Sequence, residues 1–116
     1  MKSKLGDKQR LLHILDACNK ILLATKNYDE GTFVADFIIT AAVCNFIMII
    51  GEAFGTITDE FKDSHKEFDW RLMKGMRNII VHEYFGVDNL KMFETVIQDI
   101  PKLKNDCLNA LNETNK

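Results

Sequence analysis

The first segment of the chain places its apolar side chains on one side of a helix. Leucine, isoleucine and cysteine recur three and four residues apart, at Leu11, Leu12, Ile14, Leu15, Cys18, Ile21 and Leu22. Polar side chains take most of the opposite side, at Lys8, Arg10, Asp16, Asn19 and Lys20. This spacing is typical of a helix with one face against a core. The segment therefore predicts an amphipathic helix.

The next apolar stretch is longer and has almost no polar face. Residues 26–31 predict a turn, and Thr32 is the expected N-cap of a helix from about Phe33 to Phe54. A helix that is apolar nearly all round is either central to a core or half-buried in a partner. The apolar run 37–50 contains Asn45 and is shorter than the roughly 20 residues of a membrane helix. We therefore expect a core helix.

Capping residues and glycines divide the rest of the chain into shorter helices. After a break at 55–58, Thr58 is expected to cap a short helix through Lys62, and Asp69 a helix from Trp70 to near Gly86. Asp88 is expected to cap a helix over 89–100. Pro101 either starts a final short helix or kinks a continuous one. The pattern predicts an all-α, antiparallel bundle of four to five helices, in a single domain over residues 1–116.

Composition and charge narrow the function classes. The net charge of −2 argues against a protein whose whole surface binds nucleic acid, so a polyanion would need a local basic site. The three cysteines, Cys18, Cys44 and Cys107, are far apart in apolar contexts and predict free, buried thiols in a reducing compartment. The polar N-terminus is unlike a signal peptide. We expect a cytoplasmic protein without a membrane segment.

One short stretch combines groups that suit phosphodiester chemistry. Arg77, Asn78, His82 and Tyr84 are set into the otherwise apolar segment 76–84. Arginine binds phosphate, histidine transfers protons near neutral pH, and tyrosine offers a hydroxyl. Lys74 adds positive charge to the Arg77 side of the helix. The residue types predict phosphodiester chemistry without a metal or another cofactor.

Helical geometry leaves this cluster open to more than one interpretation. At about 100° per residue, Asn78 and His82 share a face, whereas Arg77 and His82 diverge by about 140°. A site shared between two subunits would accommodate that gap. A histidine near a helix end can also serve only as a cap, and Arg77 can be an ordinary salt-bridge residue. Glu52 could pair with Arg77 or Arg71, or face solvent. The histidines His13, His65 and His82 are dispersed, so no metal site is predicted.

Several blocks together resemble one family. The segment 76–88 is similar to the R-x-x-x-x-H-x-Y motif of HEPN-domain proteins, and more narrowly to HepT-like toxins encoded beside a minimal nucleotidyltransferase, MntA. The segments 49–53, 68–71 with 75–78, and 93–96 with 99–101 resemble neighbouring parts of that family in the right order. The similarity covers about Leu11 to Leu108. Phe54 departs from it, because a small residue is expected there.

The resemblance implies a dimerising HEPN-like bundle that cleaves RNA, such as tRNA or mRNA, at a cleft between two subunits without a metal. It implies that Arg77 binds the scissile phosphate and that His82 acts as general base or acid. Asn78 and Lys74 would support substrate binding. Tyr84 would line the site and be the candidate for adenylylation by an MntA-like antitoxin. The alternative is a non-catalytic HEPN binding module that partners a nucleotidyltransferase.

Overall fold

The computed structural model describes residues 4–82 and 88–114, without the side chains of residues 4, 5, 79, 82 and 114, and over these ranges the chain is all-α. This confirms the predicted helical bundle. The helices are α1 (Lys4–Thr25), α2 (Glu30–Ala35), α3 (Phe37–Gly55), α4 (Asp59–Ser64), α5 (Trp70–His82), α6 (Asn89–Glu94) and α7 (Ile100–Thr114), with a π-helical turn at Thr95–Asp99 between the last two.

The helix α3 is the centre of the bundle. It packs against α1 on one side and α5 on another, and α1 also packs against α7. Its buried side chains include Ile39, Val43, Ile47, Ile50 and Phe54, which recur three and four residues apart. By length and composition alone α3 could cross a membrane, and 44% of that stretch is buried inside the bundle. Its packing is that of a core helix, as predicted.

The predicted single helix from Phe33 to Phe54 is wrong, because the chain breaks at Asp36. Asp36 adopts an extended backbone conformation and caps α3, accepting hydrogen bonds from the backbone N–H groups of Ile38 and Ile39 at 3.0 and 3.1 Å. The N-cap of the preceding helix is Asp29 rather than Thr32, which occupies the third position of a capping box with Asp29. An aspartate that bonds its own backbone competes with helix continuation.

The caps predicted further along the chain are confirmed. The Thr58 hydroxyl accepts from the Phe61 N–H, and Asp88 accepts from the N–H groups of Leu90 and Lys91. Thr58 is also tied to α1, since its hydroxyl and its N–H both donate to the buried carboxylate of Asp7, at 2.6 and 2.9 Å. The residue that caps the short helix α4 therefore also holds it against the start of α1.

Pro101 lies in the first turn of α7, two residues after the end of the π-helical turn. Helices α6 and α7 follow one another through that turn, so Pro101 sits within a continuous helical rod. The N–H of Ile100 bonds the carbonyl of Thr95, five residues back. A proline cannot donate to the carbonyl four residues back and its ring crowds that group, so the wider turn accommodates it.

The three cysteines are free, as predicted. Cys18 and Cys107 are fully buried between α1 and α7, and Cys44 is half-buried beside Met92. Burial raises the pKa of Cys18 to about 12 and also raises the pKa of the Cys107 and Cys44 thiols. These thiols are therefore protonated packing groups near neutral pH.

Candidate active site

The start of α5 is fixed by its cap and by an aromatic cluster. The Asp69 carboxylate accepts from the N–H of Leu72 at 3.0 Å, which confirms the predicted cap. The Trp70 indole N–H donates to the carbonyl of His65 at 3.1 Å. Its ring stacks on Phe68 and meets Phe54 edge-on, with centroids 4.7 and 4.9 Å apart. The helix that carries the predicted site residues is thus anchored to the end of α3.

The backbone of α3 approaches α5 closely at Gly51. Gly51 is buried, and a Cβ added there would overlap the Cβ of Arg77 and lie 2.7 Å from its Cγ. No side chain larger than hydrogen fits without displacing that arginine. The aliphatic stem of Arg77 therefore lies across Gly51, and the contact fixes where the guanidinium emerges.

Two polar side chains hold the end of Arg77. One guanidinium nitrogen, Nη2, donates to the Glu52 carboxylate in a short ion pair, and Nη1 donates to the Asn78 amide oxygen at 3.1 Å. Of the partners considered for Glu52 from the sequence, Arg77 is the one found. Glu52 follows Gly51 in α3, so adjacent residues supply the space for the stem and the partner for the charge.

The environment of Arg77 is half-open. Its side chain is 32% exposed and that of Glu52 is 62% exposed, so the charges meet at the protein surface. The Nε atom is buried, and no described group accepts a hydrogen bond from it. An exposed ion pair contributes little stability, about 0–1 kcal/mol. Each Nη group carries two N–H donors, so the guanidinium can contact an anion while it keeps Glu52 and Asn78 as partners.

The structure describes the other predicted site residues to different extents. Lys74 and Asn78 are exposed on the same helix as Arg77. His82 is the last residue of α5, so the helix is continuous over the five residues from Arg77, but its side chain is outside the described part of the structure. Tyr84 also falls outside the described residues. The structure therefore joins Arg77, Asn78 and Glu52, and the remaining predicted members are known only by position.

The sequence contained a signal for Gly51 that is clear only in retrospect. A glycine inside a strongly apolar helix is unfavourable by about 1 kcal/mol and often marks a close approach of two segments. Among the side chains that the structure describes, which exclude that of His82, no three potential metal ligands lie close enough together to hold an ion. The arrangement offers a positioned cation and, five residues later on the same helix, a histidine.

Comparisons with known proteins agree on one family. A family model described as ribonuclease HepT-like matches residues 14–109. A Methanocaldococcus jannaschii protein named "Putative RNase MJ1380" is 36% identical over 104 residues, which cover 90% of this chain and 95% of that protein. A Thermococcus cleftensis protein named "Probable ribonuclease HepT" is 39% identical over 101 residues, covering 87% and 92%. No solved structure matches.

Proposed function

Because the chain belongs to the HepT-like ribonuclease family, we propose that it is the endoribonuclease toxin of a prokaryotic toxin–antitoxin pair, and that it cleaves RNA without a metal ion. The family assignment supports ribonuclease activity. The observation that carries the proposal is the arginine on α5, whose stem is fixed by Gly51 and whose guanidinium lies at the surface. A fixed, accessible guanidinium suits an RNA phosphate.

In this proposal the residues of α5 divide the reaction between them. Arg77 binds the scissile phosphate and stabilises the charge that develops on it. His82 removes the proton of the ribose 2′-hydroxyl as that oxygen attacks phosphorus, or protonates the leaving 5′-oxygen. Asn78, which already bonds Arg77, orients the guanidinium or the phosphate, and Lys74 adds positive charge nearby.

We further propose that the active form is a homodimer with its cleft between subunits. The first two residues of α3 support this, because their large apolar side chains are exposed: Phe37 is 80% and Ile38 is 69% exposed. Such residues on a core helix are readily explained by a covering partner. A second copy would also bring a second Arg77 and Lys74 toward the RNA, which suits a chain with a net charge of −2.

The proposed regulation is covalent. A cognate MntA-like nucleotidyltransferase, acting in the cytoplasm, would transfer AMP from ATP to the Tyr84 hydroxyl and release pyrophosphate. The added nucleotide is bulky and negatively charged, so it would exclude an RNA phosphate by volume and by repulsion.

The test is cleavage of RNA by the purified protein in the presence of a chelator. We expect Arg77→Ala and His82→Ala each to lower the cleavage rate by about 10²-fold or more, the range typical of a lost charge-stabilising or acid–base group. Arg71→Ala, which removes another exposed arginine from α5, is the matched control and should retain activity. Circular dichroism would verify that each variant folds. Cleavage that survives both changes would exclude the proposed site.

A growth experiment separates the toxin from the non-catalytic binding module. Expression of the chain without its nucleotidyltransferase should arrest growth if it is a toxin, and the His82→Ala variant should relieve the arrest. Normal growth on expression of the folded wild-type chain would favour the binding module.

A further inference from the structure

A groove runs between α1 and α3 at the end of the bundle that carries Arg77. Its volume is about 420 Å³ and it is open to solvent along one side. Met48, Ile49 and Ala53 of α3 are its apolar lining, which we call the apolar floor, and Arg10 and His13 line it from α1. Lys74, Arg77 and Asn78, the predicted site residues whose side chains the structure describes, do not line it, so their proposed roles do not account for the groove.

Arg10 is held in a fixed orientation at this groove. Its Nε–H donates to the Thr56 hydroxyl at 2.8 Å, and that hydroxyl donates in turn to the carbonyl of Ala53 at 2.9 Å. The hydrogen bond ties α1 to the C-terminal end of α3. No carboxylate in the described part of the chain pairs with Arg10, so both Nη groups remain for another anion. His13, three residues later, is exposed on the same side of α1.

The groove and the Arg77 site meet at Glu52. The Glu52 side chain lines the groove, and its carboxylate accepts the bond from Arg77 Nη2. An extended ligand bound to Arg77 can therefore continue past Glu52 into the groove. Arg10 and Arg77 stand against the single carboxylate of Glu52 at this junction, so these three side chains carry a net positive charge, which favours an anionic ligand.

We propose that this groove binds the RNA strand next to the scissile phosphate. Arg10 contacts a flanking phosphate, and the apolar floor packs against a nucleobase. The combination of a cation for the backbone and an apolar surface for bases is typical of single-strand binding. This inference rests on the proposed ribonuclease function, because it extends the same site along its substrate.

The experiment measures the affinity of the full-length protein for a 2′-O-methyl oligoribonucleotide, which cannot be cleaved through its 2′-oxygen, over a range of salt concentrations. We expect Arg10→Gln and Arg77→Gln each to weaken binding about tenfold, as for a lost charged hydrogen bond. Each should also reduce the slope of log K against log salt by about 0.7, the value for one phosphate of a single strand.

Two control variants, thermal unfolding and sedimentation are needed to interpret the result. Lys20→Gln removes the same charge from α1, at a lysine paired with Asp16 on the surface, and should bind as the wild type does. Arg10→Lys keeps the charge without the Nε geometry and should retain the salt slope. Thermal unfolding would show that Arg10→Gln is folded. Sedimentation would measure self-association of the same variants.

Each other outcome overturns the inference in a distinct way. If Arg77→Gln weakens binding while Arg10→Gln behaves as Lys20→Gln does, the groove is not used although the proposed function stands. If Arg10→Gln instead weakens self-association in step with RNA binding, the groove is covered by a second copy. If the wild type binds no RNA, or if Arg77→Gln has no effect, the proposed function fails and this inference fails with it.

Discussion

The aliphatic stem of Arg77 occupies the space that a side chain at residue 51 would need, so only glycine fits there. A methyl group there would overlap the arginine stem, and the carbonyl of Met73 would be only 3.4 Å away. The position of Arg77 on α5 therefore depends on a residue 26 positions earlier in the chain. Such a dependence is a tertiary contact, and local spacing within the motif does not contain it.

Gly51→Ala should reduce activity through Arg77. The new methyl group must push the arginine stem away, so we expect at least a tenfold loss of RNA cleavage and a loss of about 1–3 kcal/mol in the free energy of unfolding, as for other overpacked sites. The measurements are cleavage rate and urea unfolding.

Gly75→Ala is the matched control for this change. Gly75 lies inside α5, and a Cβ there would meet nothing within 4 Å. We expect it to leave activity unchanged and to stabilise the helix by up to about 1 kcal/mol. If both alanine variants behaved alike, the close approach at Gly51 would not matter to the site.

Glu52 should act as a positioning residue for Arg77. Removing its carboxylate by Glu52→Ala should lower kcat more than it changes KM, because the guanidinium loses one of its two fixed partners. Glu52→Gln keeps an oxygen acceptor and should stay within about fivefold of the wild type, the range of an exposed ion pair.

The matched control for Glu52 is Asp16→Ala, since Asp16 is also 62% exposed and paired with a cation, Lys20. It should leave both kinetic constants unchanged. Tighter RNA binding by Glu52→Gln would contradict positioning and would show that Glu52 competes with the phosphate for Arg77.

At the scale of the helices, Asp36 divides what the apolar pattern suggested was a single element. Besides capping α3, its carboxylate accepts a hydrogen bond from the Tyr28 hydroxyl at 2.7 Å. The apolar residues on both sides continue the helical period, so one aspartate among them is easily taken for an exposed helical position. The competing backbone bonds and the tether to Tyr28 decide against helix continuation, and the tether requires the folded turn.

The Asp36 cap should make stability depend on acid pH. The Tyr28 hydroxyl and the N–H groups of Ile39 and Ile38 hold the pKa of Asp36 below its usual value. The stabilisation by the ionised carboxylate is complete above the unfolded-state pKa of about 3.9. It is lost as pH falls through the lower, folded-state pKa. Asp36→Asn keeps a capping oxygen without the charge, so it should have a lower Tm than the wild type near neutral pH.

The check is thermal unfolding of both proteins from neutral pH to below about pH 4. The difference in Tm should shrink as the wild-type carboxylate is protonated. Tyr28→Phe removes the largest cause of the low pKa and should weaken the same pH dependence. A Tm difference that stayed constant across the range would contradict the assignment to charge.

The junction of α6 and α7 marks another limit of sequence reasoning. Pro101 allowed either a new helix or a kinked one, and the chain instead uses a π-helical turn at Thr95–Asp99. Proline specifies which hydrogen bond is missing but not how the backbone compensates. Val96 within the turn and Ile100 directly after it are both buried, and such tertiary packing is not visible in the sequence around the proline.

At the scale of the whole molecule, the helical class and the buried periodicity were predictable. The apolar residues spaced three and four apart in α1, at Leu11, Ile14, Cys18 and Ile21, are the ones that are fully buried. The neighbours of each helix were not predictable, because amphipathic spacing says which face is buried but not against what. The Arg77–Glu52 pair was one of several open options for that reason.

The exposed apolar start of α3, at Phe37 and Ile38, should control self-association. Ile38→Glu places a charge where we propose a second copy packs, and it should raise the dimer dissociation constant by about tenfold or more, since removing a large buried apolar side chain costs about 1.5–3 kcal/mol. Sedimentation without RNA measures this. Ile97→Glu, at a 58% exposed isoleucine of the π-helical turn, is the control and should associate as the wild type does. Equal behaviour of the two variants would place any dimer contact elsewhere.

The two ends of the described chain lie together at one end of the bundle. Asp7 of α1 and Glu113 of α7 line one groove, where Glu113 pairs with His65. Arg10, one turn after Asp7, reaches Thr56 at the neighbouring end of α3. A substitution at Asp7 would therefore disturb the groove of His65 and Glu113 one helical turn from Arg10, so Asp7 is unsuitable as a control for RNA binding.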